Sequence, residues 1–344
     1  MGLQTASWPA ANDTLRAVEG QLARIAAQQH GFVHRWQALE CGYRDTEITR
    51  LLREKEWVRI RRGVYAMRSH VESLDDAGRH VLTVRAVVSS LGGLTVVTHF
   101  SALAVMGVPL WGVDLSEVHV HREPDRTGRT DAGVVHHVGA LDPAEVIEVD
   151  GLLVSIPERS VVDASRILSF EAGVVISDGA KRRFAFDDDR ASSILESQRD
   201  WAGSRTASRV LSFADGDSES VGESRSRVLL ARIGIPKPVL QKLFHRADGT
   251  VLARTDFYIE EYRTVGEFDG RQKYGRALYE RTGCLDQVDL GTLLWEEKRR
   301  EDALRDDGNE MVRWVWSELD GKDHTVRGRF LAAFERHSRR RAAG

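Results

Sequence analysis

Residues 251–269, VLARTDFYIEEYRTVGEFD, constrain the fold more tightly than any other stretch of this chain. The runs 255–259 and 264–268 are rich in β-branched and aromatic residues and flank a short loop at 260–263, which reads as an antiparallel hairpin. With a symmetric loop, Ile259 faces Thr264 and Asp256 faces Glu267. Directly opposed Cβ atoms lie about 4.5–5.5 Å apart, so two carboxylates placed there repel unless a cation offsets them. The two-residue period of a strand puts Asp269 on the face of Glu267, so three carboxylates are expected to converge at one end of the hairpin. An all-oxygen ligand set suits Mg²⁺ or Mn²⁺ rather than zinc. Phosphodiester hydrolysis uses such an ion to generate hydroxide and neutralise phosphate charge. The alternative is that Asp256 and Glu267 are unrelated surface charges on an amphipathic hairpin.

The hairpin sits inside a block that begins at Ser218. Ser220 followed three residues later by Glu223 is a capping box. The helix it opens has Val228, Leu229 and Ile233 as its apolar face and ends at Gly234 and Pro236. Strands follow at 239–244, 251–259 and 264–268, then a less regular stretch at 276–292, a helix at 295–306 and a strand at 311–316. The order is αβββαβ. Glu223 can supply a further acid if its helix packs across the sheet. Lysine accounts for only seven of the 49 basic residues, which makes Lys273 and Lys298 more informative than lysines usually are. Lys298 and Arg299 share a helix with Glu297, Glu301 and Asp302. That helix is either a solvated face laced with ion pairs or a phosphate-contacting one. Trp314 and Trp316 alternate with Val315 on a strand and read as core or partner-domain contacts rather than as base-stacking groups.

Three phrases in order, ESRSRVLLARIGIPKPVLQ, ARTDFYIEEYRTVGEFDGRQKYG and EKRREDALRDDGNEMVRWVWSEL, resemble the DNA mismatch very-short-patch-repair-like branch of the PD-(D/E)XK endonucleases. The resemblance spans residues 218–319 and implies a restriction-endonuclease-like core that cleaves DNA with Mg²⁺ or Mn²⁺. It implies Asp256 and Glu267 as metal ligands together with the backbone carbonyl of Phe268, Glu223 as the helical acid, and Gln241 as a neighbour of the site. The family pattern ends in Glu-x-Lys, whereas this chain has Asp269 in the lysine position. Lys273 can take over the lysine's work on the attacking water or the phosphate, or Lys298 can reach in from the following helix. If neither does, the fold is present and inactive.

Towards the N terminus, periodicity gives helices at 15–29, 36–40 and 45–54, then a β-ribbon at 57–66. Three short helices followed by a ribbon is the order of a winged helix-turn-helix. Arg44, Thr46, Thr49, Arg50 and Arg53 would line the exposed side of the third helix, where side chains meet base edges or phosphates in a major groove. Arg59, Arg61 and Arg62 would populate the ribbon. Glu47, Glu54 and Glu56 weaken the positive field, so a protein-binding wing is the competing reading. Residues 15–66 resemble the winged-helix domain of AbiE-type (type IV) antitoxins, most clearly at RIRRGVYA. The phrases VVTHFSALAVMGVPLWG and IPERSVVDASRI are similar to the rest of that family. His99, Ser101, His136, His137 and Asp163 in this middle block read as hydrogen-bonded structural residues.

The 344 residues exceed one ordinary core. The expected architecture is α+β and multidomain: a winged helix at 15–70, an α/β middle domain at 71–200, a Gly- and Ser-containing linker at 201–217, and an αβββαβ nuclease-like domain at 218–337. A net charge of −3 leaves any DNA surface to local arrangement. Two cysteines without zinc spacing, no leader-like start and no unbroken apolar run of membrane length point to the cytoplasm and no membrane partner. The expected activity is that of a Mg²⁺- or Mn²⁺-dependent deoxyribonuclease in defence or repair. The alternative is a non-catalytic DNA-binding antitoxin or autoregulator. The partners implied are DNA, a second copy of the chain, and a cognate toxin or a defence or repair protein.

Overall fold

The computed structural model describes residues 11–91, 94–121, 129–246, 248–270, 290–320 and 324–343. Two compact units emerge, Met1–Ala164 and Ser165–Gly344, each a mixture of helices and sheet.

The first unit opens with α1 (Ala11–Gln28), β1 (Phe32–His34), α2 (Arg35–Glu40), α3 (Asp45–Arg53), β2 (Trp57–Arg61) and β3 (Val64–Met67). The strands form a small sheet in the order β1-β3-β2, with antiparallel pairs, which is the arrangement of a winged helix. β1 is the element missing from the sequence-based outline, because three residues are too few to show a period. One face of this sheet and α3 enclose Leu22, Val33, Ile48, Leu51, Trp57 and Tyr65. The remaining side chains, Phe32, Val64 and Ala66, pack on Leu82 and Ala86 of the later helix α5.

After α4 (Arg68–Ser73) and α5 (Asp76–Leu91) come β4 (Val96–Val97), α6 (His99–Val105), β5 (Val118–His121), β6 (Arg129–Asp131), β7 (Val134–His137), β8 (Val146–Val149) and β9 (Leu152–Ser155). They build a six-stranded mixed sheet in the order β6-β7-β5-β4-β9-β8. The β8–β9 hairpin turns at Asp150 (φ 54°) and Gly151 (φ 77°), the pair of positive angles that an Asp-Gly turn favours.

Helix α7 (Pro157–Ile167) spans the division between the units. The second unit continues with α8 (Phe170–Arg183), α9 (Asp188–Ser197), α10 (Ser204–Phe213) and α11 (Val221–Arg232). Next are β10 (Val239–His245), β11 (Val251–Ile259), β12 (Thr264–Asp269), α12 (Leu290–Asp306), β13 (Glu310–Val315) and α13 (His324–Ala343). Its sheet runs β10-β11-β12-β13, antiparallel except for the parallel β12–β13 pair. Phe257, Trp314, Leu229, Leu230 and Phe330 form the centre of its core. Each fully buried Leu or Phe side chain of this kind contributes on the order of 1.5–3 kcal/mol.

The expected boundaries differ here. Residues 201–217 do not behave as a linker: α10 occupies most of them, with Ala207 and Val210 fully buried. Gly203 (φ 84°) caps that helix, and a Cβ there would stand 1.9 Å from the Arg166 carbonyl oxygen. Its glycine therefore marks a close backbone approach, not flexibility. The expected middle domain is likewise divided, because α8 packs on α10 and α11. The buried Asp178 of α8 pairs with Arg227 of α11 at 2.7 Å. Burial raises the Asp178 carboxyl pKa, and Arg227 and the Asp215 amide oppose the rise.

Candidate functional site

The charged N-terminal surface lies on α3 and the β2–β3 ribbon. An alternation of buried Ile48 and Leu51 with exposed Arg44, Thr46, Thr49, Arg50 and Arg53 turns one side of α3 into the core and the other outward. Arg50 pairs with Glu54 at 2.8 Å, and Arg35 pairs with Asp45 at 2.5 Å. Such exposed pairs are weak and screened by salt, so they leave the arginines available to a phosphate. Arg59 and Arg62 are exposed. Arg61 departs from the expected ribbon face: the β2–β3 register shifts between Arg59 and Arg61. Its Nη1 is buried without a hydrogen-bond partner, and burial lowers its pKa. The bulge breaks the two-residue alternation that would otherwise present Arg59 and Arg61 on one face.

In the second unit, local chemistry sets the carboxylate positions. Ser220 caps α11, its Oγ accepting from the Glu223 amide at 3.2 Å, and donates to Glu223 Oε1 at 2.9 Å. The helix can approach the sheet because position 222 is glycine. A Cβ there would lie 2.0 Å from the Phe268 ring. Glu223 Oε2 also accepts from the Glu219 amide at 2.8 Å and from Gln241 Nε2 at 2.9 Å. Burial raises the Glu223 pKa, against the hydrogen bonds from the Glu219 amide and the Ser220 hydroxyl.

The hairpin register pairs Phe257 with Gly266 and Ile259 with Thr264, which carries Asp256 to the level of Glu267. The backbone ladder ends at Phe257 and Gly266. Beyond it the Phe268 amide donates to Asp256 Oδ2 at 3.0 Å. On the other side of β11, Gln241 falls opposite Asp256, between the Leu240–Phe257 and Lys242–Thr255 pairs. Gln241 has φ of 50°, a left-handed conformation that strains a residue with a Cβ. Opposed residues share a face, so Gln241, Asp256 and Glu267 line one end of three adjacent strands. Asp256 has its carboxyl pKa pushed up to about 6, first by burial and then by the negative charges of Glu223 and Glu267.

Glu267 has a further neighbour. The parallel β12–β13 pairing sets Arg313 beside it. The Arg313 guanidinium reaches Glu267 Oε2 through Nε at 3.0 Å and Nη2 at 2.9 Å, and Glu301 Oε2 of α12 through Nη1 at 3.0 Å. Arg313 was not among the expected site residues. Its role depends on which strand lies next to β12, and spacing along the chain carries no signal for that.

Of the expected site residues, the fold brings together Glu223, Gln241, Asp256 and Glu267. Asp269 is exposed at the end of β12, two residues beyond Glu267, and Glu223 joins Asp256 and Glu267 from α11. The Phe268 group with a defined contact here is its amide. Lys273 lies outside the described residues. Lys298 and Arg299 are exposed on α12, and the Arg299 guanidinium lies 4.6 Å from the Trp295 ring centroid. Lys298 precedes Glu301 by three residues, which places it on the same side of that helix. Trp314 is core, its Nε1 donating to Ser226 Oγ at 2.8 Å. In the first unit Asp163 pairs with Arg159 at 2.6 Å, and Ser101 bonds His80 at 3.0 Å.

The donor set at the sheet end is oxygen throughout, as Mg²⁺ and Mn²⁺ require. Among the described residues, however, the three-ligand group with all donor atoms within 4.8 Å of one another consists of histidines, so the carboxylates stand wider apart. No described helix is long and apolar enough to cross a membrane.

Residues 21–68, from α1 through the wing, match the family described as "Transcriptional regulator, AbiEi antitoxin". The chain is similar to two uncharacterized proteins of Mycobacterium tuberculosis, Rv2248 of strain H37Rv and MT2308 of strain CDC 1551. Each is 29% identical over 189 residues that cover 53% of this chain and 68% of the relative. The crystal structure of the RV2827C protein from Mycobacterium tuberculosis covers 68% of this chain and 91% of its own at 15% identity and a TM-score of 0.37, too distant to carry an argument. The family match supports the AbiE-type character of residues 21–68. These matches do not bear on the nuclease resemblance of residues 218–319.

Proposed function

We propose that this is a DNA-binding protein of regulator type whose C-terminal unit also hydrolyses DNA phosphodiesters with a divalent metal. The family match at residues 21–68 supports the DNA-binding part. The nuclease part rests on one observation: Asp256 is held between Glu223 and Glu267, opposite a strained Gln241, with its pKa raised to about 6. Charge repulsion of this kind is costly in a structural role and useful in a site that receives a cation.

Asp256, Glu267 and the Phe268 carbonyl would hold Mg²⁺ or Mn²⁺, with Glu223 and Gln241 beside them. The ion would supply an activated water and neutralise charge on the scissile phosphate. Ser220 and Gln241 fix the Glu223 carboxylate so that it can orient that water. Arg313 stands where a cation is needed near Glu267, and its fork can turn from carboxylate to phosphate. It competes with Lys273 and Lys298 for the work of the missing Glu-x-Lys lysine. The α3 and ribbon arginines would engage the DNA backbone.

A second reading keeps DNA binding and drops cleavage: a transcriptional autoregulator or antitoxin with a cognate toxin as partner. The family match favours it, as do Asp269 in the lysine position and the neutralisation of Glu267 by Arg313. The deciding experiment incubates supercoiled, linear and single-stranded DNA with the purified chain and Mg²⁺ or Mn²⁺, beside Asp256→Asn and Glu267→Ala. Metal-dependent cleavage lost in both variants, with DNA binding retained, establishes the nuclease. Binding without cleavage in any DNA form and with either metal leaves the regulator.

A further inference from the structure

The N-terminal unit contains a group of side chains that enters neither reading above. His99 opens α6 directly after β4, His119 lies on β5 and His137 on β7, and these three strands are neighbours in the six-stranded sheet. The parallel register sets His119 opposite Val135 and His121 opposite His137, so alternation turns His119 and His137 to the same face. One nitrogen from each of His99, His119 and His137 lies within 4.8 Å of the other two. His119 Nδ1 and His137 Nε2 are 2.8 Å apart, and the His99 and His137 rings stack with centroids at 3.8 Å.

Packing alone leaves two features unexplained. His99 is held at φ 56°, a left-handed angle uncommon for a residue with a Cβ. His119 Nε2 is buried without a hydrogen-bond partner, its nearest carboxylate being Glu117 Oε2 at 3.9 Å. His119 itself is only 3% exposed.

We propose that His99, His119 and His137 bind one divalent d-block cation of the zinc class, with a further coordination position open to water beside the half-exposed His137. The contact between His119 Nδ1 and His137 Nε2 needs a proton that one ring must supply, and the cation takes that proton's place. Zinc–nitrogen bonds of about 2.0–2.1 Å place two tetrahedral ligand nitrogens roughly 3.3 Å apart, so the pair has to open by about 0.5 Å and the stacked His99 and His137 rings have to turn until both lone pairs meet one ion. Metallated through Nδ1, His119 directs its Nε2–H towards Glu117, the carboxylate that commonly supports a ligating histidine. With His99 Nδ1–H donating to Thr98 Oγ1, 3.0 Å away, Nε2 is left as the ligand atom of that ring. Neutral imidazoles select borderline ions over Mg²⁺.

The test uses the metal-stripped, tag-free full chain in excess Mg²⁺, which occupies oxygen sites. Titration with Co²⁺ should give saturable visible ligand-field absorption at one equivalent, removed by Zn²⁺. His137→Gln should weaken binding by at least about 100-fold, and Glu117→Gln by about 10–100-fold, with circular dichroism unchanged. Asp256→Asn should leave the Co²⁺ spectrum as it is, which separates this site from the carboxylates. Absence of a saturable band in folded wild-type protein overturns the proposal. So does unaltered binding by His137→Gln, or loss of the band in Asp256→Asn.

Discussion

Asp256→Asn should stabilise the C-terminal unit at neutral pH, although it removes the central residue of the proposed active site. The Asp256 pKa is about 6 in the folded protein against an ordinary 3.8. Between those values the folded state holds a proton that the unfolded chain has lost, so stability falls as pH rises through the window. The penalty is complete above it. A shift of about two units corresponds to about 3 kcal/mol. Asparagine keeps an oxygen to accept the Phe268 N–H and removes the charge that Glu223 and Glu267 oppose. Urea or thermal unfolding of both proteins in EDTA should give nearly equal stabilities at about pH 4. By pH 8 the variant should be ahead by about 3 kcal/mol, or on the order of 6–12 °C in melting temperature. Excess Mn²⁺ should then stabilise the wild type more than the variant, increasingly so above about pH 6, because a ligating carboxylate must be ionised. Parallel pH profiles for the two proteins, or a variant less stable at pH 8, would refute the account of a strained, cation-seeking carboxylate.

Three further outcomes are expected. Arg59→Ala and Arg62→Ala should each lower the slope of log affinity for DNA against log salt by about one, whereas Arg61→Ala should mainly change stability, measured in parallel by gel shift and unfolding. Gly222→Ala puts a methyl 2.0 Å from the Phe268 ring and should cost about 1–3 kcal/mol in unfolding free energy; a neutral effect would show that α11 does not depend on close approach to the hairpin. Arg313→Ala leaves Glu267 and Glu301 without their shared guanidinium and should lower stability by about 1 kcal/mol, an effect that shrinks in high salt.

What the sequence alone determines is mostly local. The Ser220–Glu223 capping box, the order of elements from α11 to β13 and the level of Asp256 with Glu267 all follow from periodicity and loop symmetry, because each involves residues close in the chain. Long-range neighbours decide the rest. Arg313 meets Glu267 because β13 pairs in parallel with β12 after an intervening helix, a register that no turn specifies. Gly203 falls in a stretch that reads as a linker and Gly222 in the first turn of a helix, yet each stands where another group comes too close for a Cβ. Three histidines separated by 20 and 18 positions become one cluster only when β4, β5 and β7 lie side by side. Local backbone preference fixes which elements form. Which side chains share a site depends on how those elements bury their apolar faces against one another, and that is settled only by the packed chain.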